Sequence, residues 1–305
     1  MANNLSLVIL AGGMGSRYKG QKQIVLIGPH GESLMEYSIF DAFSIGIQHF
    51  VFIINQQFDF KTKKYFQQII ERNGGNVEFI LQTTYTAVSR SIYDKIEQRQ
   101  KPWGTGHALL IAKSHLTNPF IVIDSTDFYG HKAFQKAKEM VLQELILANR
   151  YGMIAYNLAH TLNENETISR EICKVKNKFL QNVTTHSSIS KNNDGIVEYM
   201  EKNSTIQMEV TLPVSMNFWV LHPSIFRSLE EQFKQFLQKF ATDLTAEFYL
   251  SKVINGMIKE DQLEVMVRTS NEQWFGITYP EDKQYVKQSI EQLIERQKYP
   301  KALWK

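Results

Sequence analysis

The sequence predicts an α/β protein: a doubly wound, mixed but mainly parallel sheet with helices on both faces. Two observations carry that expectation. Short apolar runs alternate with longer amphipathic stretches through the first half of the chain, the pattern of parallel strands joined by covering helices. A glycine-rich turn, Gly12-Gly13-Met14-Gly15, then follows the first apolar run directly, where such sheets bind ligands beyond the carboxyl ends of their strands. With 305 residues, 43% of them hydrophobic, the chain is long enough to enclose a substantial core.

In order along the chain, strands are expected at Leu5 to Leu10, His49 to Asn55, Val77 to Gln82 and Pro119 to Asp124. Between and after them, apolar residues three or four apart predict helices near Ser33 to Ser44, Lys61 to Arg72, Gly104 to Leu116 and His131 to Ala148. The second half opens with a strand at Met153 to Leu158, followed by polar β-like segments at Glu171 to Lys176 and Ile196 to Tyr199. Thr184 to Asp194 reads as a polar loop. A strand near Val214 to Leu221 leads into helices at about Ser224 to Lys239 and Leu244 to Lys259, then a strand at Leu263 to Val267 and a helix from Pro280 to Gln297. No repeat or linker divides the chain. It is expected to form one domain over residues 1–305, with 1–150 as a nucleotide-binding half and 151–305 as an acceptor-binding half carrying the C-terminal helices.

Composition narrows the function. A formal charge of +3, with no basic run interleaved with aromatics, gives no reason to expect a nucleic-acid partner. The single cysteine, Cys173, leaves no internal disulfide and is expected to be structural. There is no stretch of roughly 18 apolar residues, and the first residues lack the basic region of a signal peptide, so no membrane association and a cytoplasmic location are expected.

Four clusters could carry chemistry. In Leu10-Ala11-Gly12-Gly13-Met14-Gly15-Ser16-Arg17, followed by Lys22, glycines let backbone N–H groups approach an anion while two cations neutralise phosphate oxygens. The spacing is that of neither a P-loop nor a dinucleotide fingerprint. The plain alternative is a sharp strand-to-helix turn. Lys101 to Ala108 contains Gly104-Thr105-Gly106-His107 at a helix start, whose first-turn donors could meet a ligand or simply form a cap over a core Trp103; His107 reads more naturally as a packing residue than as an acid or base. The third cluster, Ile121 to Gly130, empties an apolar strand into Asp124 and Asp127, which could hold a hard cation such as Mg²⁺ or could cap the turn and face solvent. In the fourth, Asn217 is a polar residue within an apolar strand, and its amide needs a partner: ligand, metal or backbone.

These residues together resemble the nucleotidyltransferase superfamily, in particular the sugar-phosphate nucleotidylyltransferases, which have a Rossmann-like fold of the nucleotide-diphospho-sugar transferase type. Leu10 to Arg17 with Lys22 and Gly31-Glu32-Ser33-Leu34 resembles the signature. Lys101 to Ala108 is similar to the base-binding segment, Asp124 to Gly130 to the metal-binding strand end, and Asn217 lies where a second metal ligand is expected. Glu247 to Leu250 and Trp274 to Tyr279 resemble C-terminal patterns of a bacterial subgroup.

The resemblance implies transfer of a nucleoside monophosphate from an NTP to a phosphorylated acceptor such as a sugar 1-phosphate, with release of pyrophosphate and with Mg²⁺ as cofactor. Arg17 would hold the β- and γ-phosphates, and Lys22 would stand between the α-phosphate and the attacking phosphate. Leu10, Ala11, Gly12, Gly13, Gly15, Ser16, Gln82, Gly104 and Thr105 would bind the nucleotide, with Gln82 favouring uracil and hence UTP, and Asp127 or Asp124 with Asn217 would bind the metal. The chain departs from the pattern twice. Thr126 replaces the first of two adjacent acids, and Thr184-Thr185 stand where a glutamate would help with the acceptor. These departures motivate the competing expectation of a sensor that binds nucleotide or NDP-sugar without turnover.

Overall fold

The computed structural model describes residues 5–13, 18, 22–162, 167–192, 194–201 and 204–304. The first half contains β1 (Ser6–Ala11), α1 (Leu34–Ser44), β2 (His49–Ile54), α2 (Phe60–Arg72), β3 (Asn76–Leu81), α3 (Tyr93–Ile96), α4 (Thr105–Leu110), β4 (Phe120–Asp124), β5 (Asp127–Phe128) and α5 (His131–Leu142). The second half adds β6 (Arg150–Asn157), β7 (Ile168–Lys176), β8 (Phe179–Lys191), β9 (Val197–Glu201), β10 (Ser204–Gln207), β11 (Pro213–Leu221), α6 (Ile225–Phe240), α7 (Leu250–Lys259), β12 (Glu264–Ser270), β13 (Phe275–Gly276) and α8 (Asp282–Glu295).

The main sheet runs β10-β9-β8-β12-β6-β11-β4-β1-β2-β3, with β7 pairing β11 and β8. The expected doubly wound, mixed architecture is present. Strand β1 is parallel to β2 and β4, and β2 to β3, whereas β11 is antiparallel to both β4 and β6. Strands β1, β2 and β4 are largely apolar because both their faces are covered. Leu7 and Ile9 share one core cluster with Met35 and Ile39 of α1, Phe66 of α2 and Phe134 of α5. Val8 and Leu10 point the other way, toward Leu109 of α4, Leu229 of α6 and Val253 of α7. Period-two alternation along β1 thus assigns three helices to each face.

A third cluster packs α8 and the chain's last turns against α1, with Phe128 and Phe275 stacked at 4.5 Å between ring centroids. Among the described residues no helix is long and apolar enough to cross a membrane.

Three elements differ from expectation. Thr184 to Lys191, read as loop, belongs to the long strand β8, which pairs β7 on one side and β9 on the other. Its polar residues belong to an antiparallel flap with exposed positions along most of its length, so no hydrophobic alternation marks it. The helix at Thr105 ends at Leu110 and resumes only as a 3₁₀ turn at Lys113–His115. The expected helix from Leu244 starts at Leu250, because the backbone of Phe248 pairs with the 103–106 segment instead.

Candidate active site

A cavity of about 440 Å³ opens at the carboxyl ends of the parallel strands. Gly12 and Gly13 line it at the end of β1, Gln82 after β3, Gly104 and Thr105 at the start of α4, Asp124 to Asp127 after β4, and Asn217 from β11. Leu10 also lines it, whereas Ala11 is buried just behind. Lys22, from a single 3₁₀ turn, reaches the same space. The topology therefore brings together Lys22 and, of the described residues expected to bind nucleotide or metal, all but Ala11. Gly15, Ser16 and Arg17 lie outside the described residues.

The turn after β1 is held from behind by two buried amides. Gln23 donates through Nε2 to the carbonyl of Gly13 at 2.7 Å and to that of Ala11 at 3.4 Å. Asn55 donates through Nδ2 to the carbonyls of Gly13 at 3.0 Å and Gly12 at 3.4 Å. In a trans peptide the next N–H points opposite to the carbonyl, so the Gly12 and Gly13 N–H groups face away from these amides. Neither Gln23 nor Asn55 was singled out in the sequence, since a lone amide after a strand carries no spacing signal.

Gln82 closes the far wall. Its Nε2 donates to the carbonyl of Gly104 at 3.2 Å and to Nδ1 of His107 at 3.0 Å. A carbonyl can only accept, so the amide orientation is fixed. His107 must then carry its proton on Nε2, which donates to the carbonyl of Thr86 at 2.8 Å. Burial pushes the imidazole down to about 4, so it is neutral and serves to orient Gln82. Both Gln82 amide hydrogens are consumed within the protein, and its oxygen is left as an acceptor. Gly104 has φ +97°, and a Cβ there would stand 3.0 Å from the carbonyl oxygen of Phe248, so the wall requires glycine.

The acidic end is organised by Tyr129. Its hydroxyl donates to the carbonyl of Met216 at 2.9 Å and accepts from the backbone N–H of Asp124 at 3.0 Å, tying the end of β4 to β11. Strand β11 changes register against β6 between Ser215 and Trp219, and Asn217 sits in that irregularity with φ 57°. Asparagine tolerates this left-handed backbone better than most residues. From there Nδ2 of Asn217 donates to Oδ2 of Asp124 at 2.9 Å. Burial raises the carboxyls of both Asp124 and Asp127; Asp124 raises Asp127 further, and Lys22 opposes the shift at each. The pair is thus enclosed and short of positive charge, and with the Asn217 oxygen it forms an all-oxygen donor set suited to Mg²⁺.

Two charged residues that line the cavity carry no signal in the sequence either. Arg170 and Glu171 enter from β7, a strand recognised only as polar and β-like. The Arg170 guanidinium lies over the Trp274 ring at 4.9 Å, donates through Nε to Thr161 Oγ1 at 3.1 Å, and lowers the Asp127 carboxyl electrostatically. The cysteine of the same strand, Cys173, is buried, and desolvation pushes its thiol far up, as suits a structural residue.

Known proteins are similar to this chain in sequence or in fold. Residues 6–155 match the family described as nucleotidyl transferase. The chain is 25% identical over 231 residues to the bifunctional IPC transferase and DIPP synthase of Aquifex aeolicus (strain VF5); the match covers 75% of this chain but 41% of that protein. In structure it resembles the inositol-1-phosphate CTP transferase from T. maritima, with a TM-score of 0.62 at 14% identity over 94% of this chain and 96% of that one. A UDP-glucose pyrophosphorylase complexed with UDP-glucose aligns with a TM-score of 0.59 at 11% identity, covering 94% and 98% of the two chains. Residues 6–155 of this chain thus belong to the nucleotidyl transferase family.

Proposed function

We propose that this protein transfers a nucleoside monophosphate from an NTP, with UTP as first candidate, to a phosphorylated small-molecule acceptor such as a sugar 1-phosphate, releasing pyrophosphate. The observation that carries the reading is the convergence of Lys22, Asp124, Asp127 and Asn217, from three separate segments, on one cavity that Gly12, Gly13, Gln82 and Gly104 also line. A cation site adjoining a glycine-lined turn suits a substrate with crowded phosphates.

In this reading, residues 1–150 supply the nucleotide side and residues 151–305 the acceptor side of one domain. The turn N–H groups and Arg17 bind the triphosphate, and Leu10, Ala11, Gly15, Ser16 and Thr105 take part in holding the nucleotide. The Gln82 oxygen accepts from N3–H of uracil. The acceptor phosphate is already an anion, so its attack on the α-phosphorus requires no strong general base. What it requires is relief of the repulsion between two phosphates brought to bonding distance, and Lys22 provides it. Mg²⁺ held by Asp124, Asp127 and Asn217 would supply further charge neutralisation at the same phosphates.

The test is pyrophosphate release from each NTP with a panel of phosphorylated sugars and alcohols, with and without Mg²⁺. Acceptor-dependent release with UTP supports the reading in full; release with another NTP replaces the assigned base. Nucleotide binding with no release for any pair would instead identify a sensor.

A further inference from the structure

The phosphate and cation chemistry leaves one cavity carboxylate without a task. Glu171 lines the cavity from β7, paired across the sheet with Ser215 of β11, two residues before Asn217. Its Oε1 accepts from Ser251 Oγ at 2.7 Å. Ser215 is 5% exposed; its Oγ makes no hydrogen bond of good geometry among the described residues, yet it lies close enough to the carboxylate to favour the charged form, as Ser251 does. Desolvation raises the Glu171 carboxyl, and Lys252 opposes that shift. A carboxylate has about four lone-pair sites, so a half-buried one beside two serine hydroxyls can accept further hydrogen bonds.

Its position says what would fill it. Glu171 stands one residue from Arg170 on β7 and across from the strand that carries Asn217, so it faces the body of whatever is attached to the attacking phosphate. Two chemistries could place donors there: hydroxyl groups, or a charged ammonium head group. A quaternary ammonium has no N–H to give and is held by open aromatic faces. Among the described residues lining the cavity the one aromatic side chain is Trp274, and the Arg170 guanidinium already covers its ring. Ser169, Ser215 and Thr278 also line the cavity.

We infer that Glu171, supported by Ser251 and Ser215, reads the hydroxyl groups of a polyhydroxylated acceptor phosphate and selects against acceptors that end in a quaternary ammonium. Glu171 accepts from an acceptor hydroxyl, while Ser215 can donate to or accept from a neighbouring one. The inference rests on the transferase reading, which it makes specific for acceptor class.

The test measures pyrophosphate release by the full chain with UTP or CTP and Mg²⁺, using α-D-glucose 1-phosphate, myo-inositol 1-phosphate and phosphocholine as acceptors. The wild type is expected to turn over at least one hydroxylated acceptor and not phosphocholine. Glu171→Gln, which keeps the shape and loses the charge, should raise the KM for that acceptor tenfold or more and leave the NTP KM within twofold. Ser251→Ala should shift the same KM less, which guards against a folding defect in the first variant. A singly deoxygenated analogue lacking the recognised hydroxyl should be penalised by the wild type but not further by Glu171→Gln, because the two losses are one interaction. Preference for phosphocholine, or equal shifts in both KM values, would overturn the inference and leave the transferase reading intact. Failure of every acceptor would remove both.

Discussion

The amide of Asn217 donates to the carboxylate of Asp124 at 2.9 Å from a left-handed backbone position inside β11. A single residue thus joins the two strands that frame the proposed cation site. Asn217→Ala should lower turnover about a hundredfold and, with a hydrogen bond to a charged group lost and left-handed alanine strained, stability by about 2–4 kcal/mol. Asn217→Gly relieves the backbone strain and should recover part of the stability without recovering turnover. Recovery of both, read by pyrophosphate release and denaturant midpoint, would show that the backbone and not the amide matters.

Lys22 sits near both carboxylates and, among the described residues, makes one long hydrogen bond, 3.4 Å from Nζ to the carbonyl of Ile277. A cation so lightly engaged by the protein is available for phosphate. Lys22→Ala should cut kcat by about two to three orders of magnitude while changing NTP affinity by less than tenfold, a preferential loss of transition-state stabilisation. Calorimetric NTP binding alongside kcat measures the split; unchanged turnover would remove Lys22 from the reaction.

Because burial and mutual repulsion hold the Asp124 and Asp127 carboxyls above their ordinary range, loading a divalent cation must displace protons there. The Mg²⁺ concentration for half-maximal activity should fall as pH rises from 6 to 8, and chelator should abolish pyrophosphate release. Activity indifferent to chelator would eliminate the cation site.

A Cβ at Gly12 would stand 2.5 Å from Oε1 of Gln82, the atom assigned to the base. Gly12→Ala should therefore weaken NTP binding about tenfold, and Gln82→Ala should reduce the preference between UTP and the other NTPs, both measured by competition binding. Unaltered preference in Gln82→Ala would move base recognition elsewhere on the wall.

Away from the cavity, Asp41 is buried in α1, where it accepts from Tyr299 at 2.7 Å and faces His131 at 3.4 Å. Burial raises its carboxyl from 3.8 to about 6, while Asp41 raises the His131 imidazole. The folded chain consequently binds more protons than the unfolded one between about pH 4 and 6, so stability falls as pH rises across that window. For Asp41 the loss amounts to about 3 kcal/mol at most. Asp41→Asn should flatten the Tm profile between pH 4 and 6; an unaltered profile would contradict the assignment.

How much of this was legible differs along the chain for physical reasons. Strands β1, β2 and β4 are covered on both faces, so their composition alone identifies them, and the rule that ligands bind beyond their carboxyl ends led to Gly12, Gln82 and Asp124. The β7–β8 flap is polar over most of its length, so the sequence hid both the strand at Thr184 to Lys191 and the two cavity residues, Arg170 and Glu171, that β7 delivers. His107 shows a different limit. Its helical position was evident, but its neutral tautomer and its hold on Gln82 depend on Thr86, 21 residues earlier, which no local pattern reveals.

The central claim is that the α-phosphorus of an NTP is attacked by an acceptor's phosphate at Lys22 and the Asp124–Asn217 site. The most direct measurement follows the label from [α-³²P]UTP and [γ-³²P]UTP, incubated with Mg²⁺ and the sugar phosphate that supports release, in the wild type and in Lys22→Ala. The expected result is α-label in a nucleotide-linked acceptor, γ-label in pyrophosphate, and loss of both in the variant. Label from the γ-position on the acceptor, or α-label transfer undiminished in Lys22→Ala, would contradict it.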